Sequence, residues 1–418
     1  MINFYSNKKN TLPRFFYRNY LKHIRTNQVS NNEAIKTFAD LLDLAQKSDF
    51  LKFTWNLPEY FKRHLDEEVI DSLKILLKEK REKKSKKLLK HVFPHVADEF
   101  SLSHSFLSSA FDEKNFPIMK NTDIFYSIGS CFARNFTDYL KSKNINASNF
   151  PLAEDLNSPG SNSVLLKCIN YTDKKDLKYY LNKIIKKFWS ESSEEEKTNV
   201  LESNINKILT LKENIINSNK VIVTLGNTID YYFDDMGNEE IAPKFISLSM
   251  SEEINERNLS HNRMKKAGCY IRMSDFNETK NYILNIYKSL RKFSPNIEIL
   301  FSVSPVPIDS VLGIDDKLNM NAIEIDCVSK STIRTALNEV LLSTNILSDK
   351  KVFYLPSYEI VRWIAPVASV PIFGVEDAAS RHVSNIILNS VCDFIYQQSK
   401  KNWINKTYKY QIIKEFYV

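Results

Sequence analysis

The residues best placed to do chemistry lie in one stretch, DIFYSIGSCFARNFTDYLKS, residues 123–142. Ile124, Phe125, Tyr126 and Ile128 suit a buried strand. Phe132, Phe136, Tyr139 and Leu140 then recur at helical spacing on one face. Gly129 between the two patterns permits a tight turn. Ser130 therefore stands where a helix begins, a place where unpaired N–H groups and the helix dipole favour negative charge. A hydroxyl there suits a nucleophile whose reaction generates an oxyanion, although a plain N-cap has the same position and residue type. Cys131 projects about 100° away around the helix axis and is expected to pack against the sheet.

Further polar residues close or follow apolar runs. Thr224-Leu225-Gly226 ends VIVTLG, with Asn227 and Thr228 next. Ser302-Val303-Ser304-Pro305-Val306-Pro307 follows a second apolar run. Ser329-Lys330 and Pro356-Ser357-Tyr358-Glu359-Ile360 come later, and His382 stands just ahead of a final amphipathic segment. With Gly129-Ser130-Cys131-Phe132-Ala133 as its signature, this series, over roughly residues 119–395, resembles the GSCFA-motif family, a branch of the SGNH (GDSL-like) hydrolase superfamily.

The resemblance implies an SGNH-like three-layer α/β/α domain with a central parallel sheet, and acyl transfer through an acyl-serine intermediate. It makes Ser130 the catalytic serine and His382 its general base. The superfamily usually places an aspartate three residues before the histidine, where it orients the ring and stabilises the imidazolium. Ala379 occupies that position here. Asp377 is the candidate for the part, with Glu376 or a Ser–His dyad as alternatives. The oxyanion hole that the resemblance implies combines the Ser130 N–H, a glycine N–H and an asparagine side chain. Gly160 is the one glycine between 130 and 225. Asn227 directly follows Gly226, but the superfamily's G-x-N spacing would put an asparagine at Thr228. Asn227, Thr228 or neither reaches the site, and a turn residue after a strand is the plainer use of Asn227.

These residues need elements to hold them. Apolar runs suited to parallel strands occur at 123–128, 220–225, 297–304 and 351–355, with 145–150 as a further candidate. Helical stretches at 131–143, 174–189, 199–217, 276–292 and 329–344 separate them. Asp275 and Glu278 form a capping box for the fourth. Such alternation predicts an α/β fold, with ligands bound beyond the C-terminal ends of the strands. The turns Gly129-Ser130, Gly226-Asn227 and Ser304-Pro305 all fall at such ends. Residues 1–118 read as a helical N-terminal domain, 119–395 as the acyl-transfer domain and 396–418 as a basic, aromatic tail. The nine basic and two acidic side chains of residues 74–90 read as a solvated helix face. His261, Asn262, Arg263 and Arg272 form a polar insertion after the 220–225 strand.

With 418 residues, 43% of them hydrophobic, the chain can bury substantial cores and is not a disordered one. Five scattered cysteines, none in a C-x-x-C pair, suggest neither a metal site nor a disulfide framework. No apolar run suits a signal peptide or a membrane span, so cytoplasm is the expected compartment. A net charge of +8 suits anionic partners such as an acidic glycan or CoA phosphates. The expected substrate is a carbohydrate or polysaccharide, with no nucleic acid partner. The expected reaction is O-acetylation of a bacterial capsule or lipopolysaccharide glycan, with acetyl-CoA as possible donor and no tightly bound cofactor. An acetyl esterase, or a non-catalytic glycan-binding or assembly module, is the alternative. Peripheral association with a membrane or a glycan-assembly system is a further expectation from the tail and the charge.

Overall fold

The computed structural model describes residues 20–24, 29–47, 65–76, 102, 107–108, 110–111, 116–151, 156–171, 173–235, 238–247, 254–308, 320–368, 370–376 and 381–400. The basic stretch beyond residue 76, the tail beyond residue 400, Asp377 and Ala379 lie outside the described residues. The chain divides into two compact units, Met1–Asp112 with Val367–Val370, and Glu113–Pro366 with Pro371–Val418.

In the first unit the helix Asn31–Lys47 and a helix over residues 67–76 supply amphipathic faces. Tyr20, Leu21, Ala34, Phe38, Val69 and Leu73 meet in one apolar cluster. Tyr20 packs edge-on against Phe38 with ring centroids 5.1 Å apart, and its hydroxyl donates to the Ala34 carbonyl at 3.1 Å.

The second unit is built on a five-stranded, all-parallel sheet. Its strands are β1 (Ile124–Gly129), β2 (Asn146–Asn149), β3 (Lys220–Leu225), and two later ones, Glu298–Val303 and Val352–Leu355. Strand order is β2, β1, β3, Glu298–Val303, Val352–Leu355. The order reverses between β1 and β3, which is where open sheets of this type form their crevice. Helices cover both faces, making three layers. Helix α1 (Cys131–Ser142) lies on one face, where Ser127 Oγ of β1 meets Thr137 Oγ1. On the other face Tyr126, Ile128, Val221, Val223, Leu225, Ile299, Phe301 and Val303 share a core with Leu165, Ile283, Ile286, Ile333 and Leu337. Phe125, Ser127, Ile222 and Leu300, also buried, alternate with them along the strands, as a pleat covered on both sides requires.

The helices of that second face are α2 (Pro159–Ile169), α3 (Lys174–Phe188) and α4 (Glu194–Ile216), then two later ones, Phe276–Phe293 and Ala322–Leu342. Two of them begin earlier than apolar periodicity alone predicts. Ser193 with Glu196, and Asn321 with Glu324, form capping boxes that satisfy the first N–H groups and extend each helix by more than a turn upstream of its apolar stripe. The capping box expected at Asp275 and Glu278 is also formed. Helix α2 is absent from the periodicity because its buried face includes Ser161, Asn162 and Ser163. Its start is marked instead by Ser158 as N-cap and Pro159 in the first turn.

The polar insertion after β3 is a second, antiparallel sheet, made of β4 (Ile229–Asp235), β5 (Asn238–Ile241) and β6 (Cys269–Met273) in the order β5, β4, β6. Helix α5 (Ile254–Lys266) runs between β5 and β6. After these come α6 (Phe276–Phe293), β7 (Glu298–Val303), α7 (Ala322–Leu342), β8 (Val352–Leu355) and α8 (Asn385–Gln398). Tyr139 of α1 donates to Asp393 of α8 at 2.7 Å, so α8 shares the face of α1.

Candidate active site

Ser130 ends the β1 turn and caps α1 by backbone only, since its side chain makes no capping hydrogen bond. Gly129 adopts φ +105°, and a Cβ there would lie 1.9 Å from the Thr224 carbonyl oxygen. Only glycine fits so close to the neighbouring strand. Ser130 is 2% exposed, and among the described residues its Oγ has no hydrogen-bond partner. An unbonded buried hydroxyl costs stability, so its retention at a strand end marks a candidate for chemistry.

The Ser130 N–H is not left open as an oxyanion donor. It donates to the Thr224 carbonyl at 3.0 Å and so extends the β1–β3 ladder past Gly129. Ser304 does the same on the other side of β3, donating to the Leu225 carbonyl at 2.8 Å. Parallel pairing continues by one residue beyond the strands and takes the donor that the turn was expected to leave free.

The turn after β3 is tied on every side. Gly226 N–H donates to the Asn157 carbonyl at 2.5 Å. Asn227 Nδ2 donates to Asn157 Oδ1 at 2.7 Å, and its Oδ1 accepts from the Ile229 N–H at 2.9 Å. Asn227 thus acts as the turn residue that its type favours, with one of its two amide N–H groups and its carbonyl oxygen engaged. Thr228 donates through N–H, at 2.7 Å, and through Oγ1, at 3.2 Å, to Ser329 Oγ of α7. Next along α7, the Lys330 ammonium donates to the Gly226 carbonyl.

Gly160 sits in the first turn of α2 and not in a loop. Its Cα faces Asp230: a Cβ would lie 2.4 Å from Asp230 Oδ2 and 2.4 Å from Ile241 Cδ1. Asp230 of β4 is fully buried, and its Oδ1 accepts from the hydroxyls of Ser158 and Ser161. Burial pushes its carboxyl up to about 6, against the pull of those two hydroxyls. A side chain there would have to displace the carboxylate of Asp230 and the end of Ile241.

His382 lies on a short antiparallel ladder. Its carbonyl accepts from the Gly374 N–H at 2.9 Å, beside the Phe373–Val383 bridge. The ring is not hydrogen-bonded to Ser130, whose Oγ bonds nothing. Glu376 accepts the Asn385 N–H at 2.9 Å, which places its carboxylate on the first turn of α8. Asp377 falls outside the described residues. The arginine of Pro356-Ser357-Tyr358-Glu359-Ile360-Val361-Arg362 links this ladder to α7: it lies 5.9 Å from the Phe373 ring centroid and pairs with Asp326. In the insertion, Arg263 stacks 3.7 Å from the Trp189 ring centroid and Arg272 is bidentate to Glu278 at 2.7 and 2.8 Å. His261 meets the Tyr231 hydroxyl at 2.9 Å. The two arginines tie the insertion to the end of α3 and to α6, and His261 joins α5 to β4. Cys131 is half-buried.

Lys330 and Asp326 are the residues that sequence reasoning did not assign. Their signal was present in α7, whose buried stripe runs Ile325, Asp326, Ser329, Lys330, Ile333, Ala336, Leu337 and Val340. Three polar side chains stand on the part of that stripe nearest the strand ends, where the period calls for apolar ones. Among the described residues no helix is long and apolar enough to cross a membrane.

A sequence model of the GSCFA family matches residues 124–369. Comparison with curated proteins and with solved structures finds no match.

Proposed function

Because that match takes in well over half of its residues, the chain belongs to the GSCFA family, and on this premise we propose that it is a serine-dependent acyl-transfer enzyme acting on carbohydrate. The observation that carries the proposal is Ser130: a buried, unbonded hydroxyl on a rigid turn at the sheet's switch point, at the head of a twelve-residue helix. Its Oγ attacks the acyl carbon, His382 takes the hydroxyl proton once the ring swings onto it, and the acyl group rests on Ser130 before passing to an acceptor. Asp377 is the proposed partner of the ring. The acceptor is a sugar hydroxyl of a bacterial surface glycan, which makes the reaction an O-acetylation with acetyl-CoA as donor. The net charge of +8 suits CoA phosphates or an acidic glycan. Water as acceptor turns the same site into an esterase.

A second reading is favoured by one specific feature. The Ser130 N–H and one N–H of the Asn227 amide, both expected oxyanion donors, are already bonded, as suits a glycan-binding module that kept the fold without the reaction. Incubation with p-nitrophenyl acetate and with a fluorophosphonate probe separates the two. Covalent labelling at Ser130, lost in Ser130→Ala, is the expected result. A folded protein that neither turns over the ester nor labels is the module.

A further inference from the structure

Lys330 is 1% exposed, and the buried face of its helix continues in Ile333, Ala336 and Leu337. Lysine is almost never buried this way without a counter-ion. Asp326, one turn earlier, is already paired with Arg362 and accepts the Ile308 N–H at 3.0 Å. The ammonium has three N–H bonds to give. Among the described residues it gives one, to the Gly226 carbonyl. That carbonyl ends β3, the strand whose Thr224 carbonyl takes the Ser130 N–H. The titratable groups that act on the ammonium include Asp326 of α7, Arg362 and the Cys131 thiol, beside Ser130. An incompletely bonded buried cation and an unbonded buried hydroxyl therefore share the C-terminal edge of the two strands that flank the switch point.

Two of the three expected oxyanion donors, the Ser130 N–H and Asn227, make other hydrogen bonds. The Ser130 N–H serves the ladder, Asn227 serves its own turn and Thr228 is bound to Ser329. We propose that the Lys330 ammonium is the positive charge against which the oxyanion of acyl transfer develops. This deepens the acyl-transfer proposal above and rests on it. In the first half-reaction the Ser130 Oγ–acyl carbon bond forms. The carbonyl π pair moves onto oxygen, and the hydroxyl proton passes to His382. Lys330 donates a hydrogen bond to that oxygen without giving up its proton. When the carbonyl re-forms, the bond to the leaving group breaks and the leaving group takes the proton from His382. A fixed cation in a site closed to water stabilises the charged intermediate more than the neutral ester, which is the requirement for catalysis. Burial lowers the lysine from 10.5 to about 8, so at neutral pH the charge is still mainly present and above that it is lost.

The test is the rate of Ser130 acylation by p-nitrophenyl acetate and of fluorophosphonate labelling, from pH 6 to 10, in the full chain and in Lys330→Met and Lys330→Arg. Wild type should lose rate above about pH 8. Lys330→Met should lower kcat by about 10²–10³-fold, as removal of one oxyanion donor does. Its KM should stay within about threefold, and the alkaline fall should vanish. Lys330→Arg keeps the charge and should stay active through pH 10. Labelling of folded Lys330→Met within threefold of wild type, with the alkaline fall unchanged, would overturn the proposal. Should Lys330→Met not fold, an alkaline fall that persists in Lys330→Arg overturns it equally. If wild type reacts at Ser130 and both variants match it, only the role of Lys330 falls. If Ser130 of wild type does not react at all, the acyl-transfer reading falls and takes this one with it.

Discussion

The turns that end β1 and β3 are neighbours and begin alike, with a glycine and then a polar side chain, but they spend their polar groups in opposite ways. After β3 the groups of Gly226, Asn227 and Thr228 are bonded to Asn157, Ile229, Ser329 and Lys330. After β1 the backbone is equally fixed, by Gly129 and by the Ser130 N–H on Thr224, yet the Ser130 hydroxyl bonds nothing. A residue type that suits catalysis is therefore a weak guide by itself. Asn227 and Ser130 both have it, and only the latter keeps an unused polar atom in a buried, rigid frame. The β3 turn is bonded throughout, and the β1 turn is the one proposed above to react.

The largest effect should come from removing the hydroxyl. Ser130→Ala should cut ester turnover by about 10³-fold or more while the melting temperature holds or rises, because no hydrogen bond is lost. More than a tenth of wild-type activity in a folded variant removes Ser130 from the mechanism and erases the contrast between the turns.

Next in size is the frame. Gly129→Ala puts a methyl group against the Thr224 carbonyl and forces a side chain into a left-handed backbone. It should destabilise the protein by about 3 kcal/mol or more. Denaturant unfolding that finds less than about 1 kcal/mol would show that the β1 turn is not rigid.

Asp230 tests the insertion side of the β3 turn. Its carboxyl is raised in the folded state from 3.8 to about 6. Stability from this group is thus fully present below about pH 4 and is lost as pH rises through about 6, by roughly 1–3 kcal/mol. Asp230→Asn keeps acceptors for Ser158 and Ser161 and should flatten the stability profile between pH 4 and 6. A variant profile that falls as steeply as wild type over that window rules out Asp230 as its source.

The smallest effect is expected at Asn227. As a turn residue, its replacement by Ala should cost about 1 kcal/mol of stability and less than threefold in Ser130 labelling. A loss of 10²-fold in labelling would make it an oxyanion donor after all and join the two turns into one site.

Much of this architecture was legible in the residues. The strands β1, β3, β7 and β8 show as apolar runs because a parallel sheet covered on both faces needs no polar alternation. The signature around Ser130 marks the turn where a buried hydroxyl stands unbonded among the described residues. The helix starts were less legible where polar caps carry a helix beyond its apolar stripe, as at Ser193 and Asn321. The insertion's antiparallel sheet was hidden because one of its strands, β5, is only four residues long and includes Asn238, Glu239 and Glu240.

What the sequence by itself determined is the set of local elements and the residue types at strand ends, because propensity, periodicity and capping act within a few residues along the chain. What only the tertiary structure decided is which polar atoms remain unused. Whether the Ser130 N–H is a donor or a ladder rung depends on Thr224, ninety-four residues away in the chain. Whether Gly160 opens a hole or admits a carboxylate depends on Asp230. Whether Lys330 is a surface charge or a buried one depends on where α7 crosses the end of β3. Hydrogen bonds are spent between partners that the fold, and not the local sequence, brings within 3 Å.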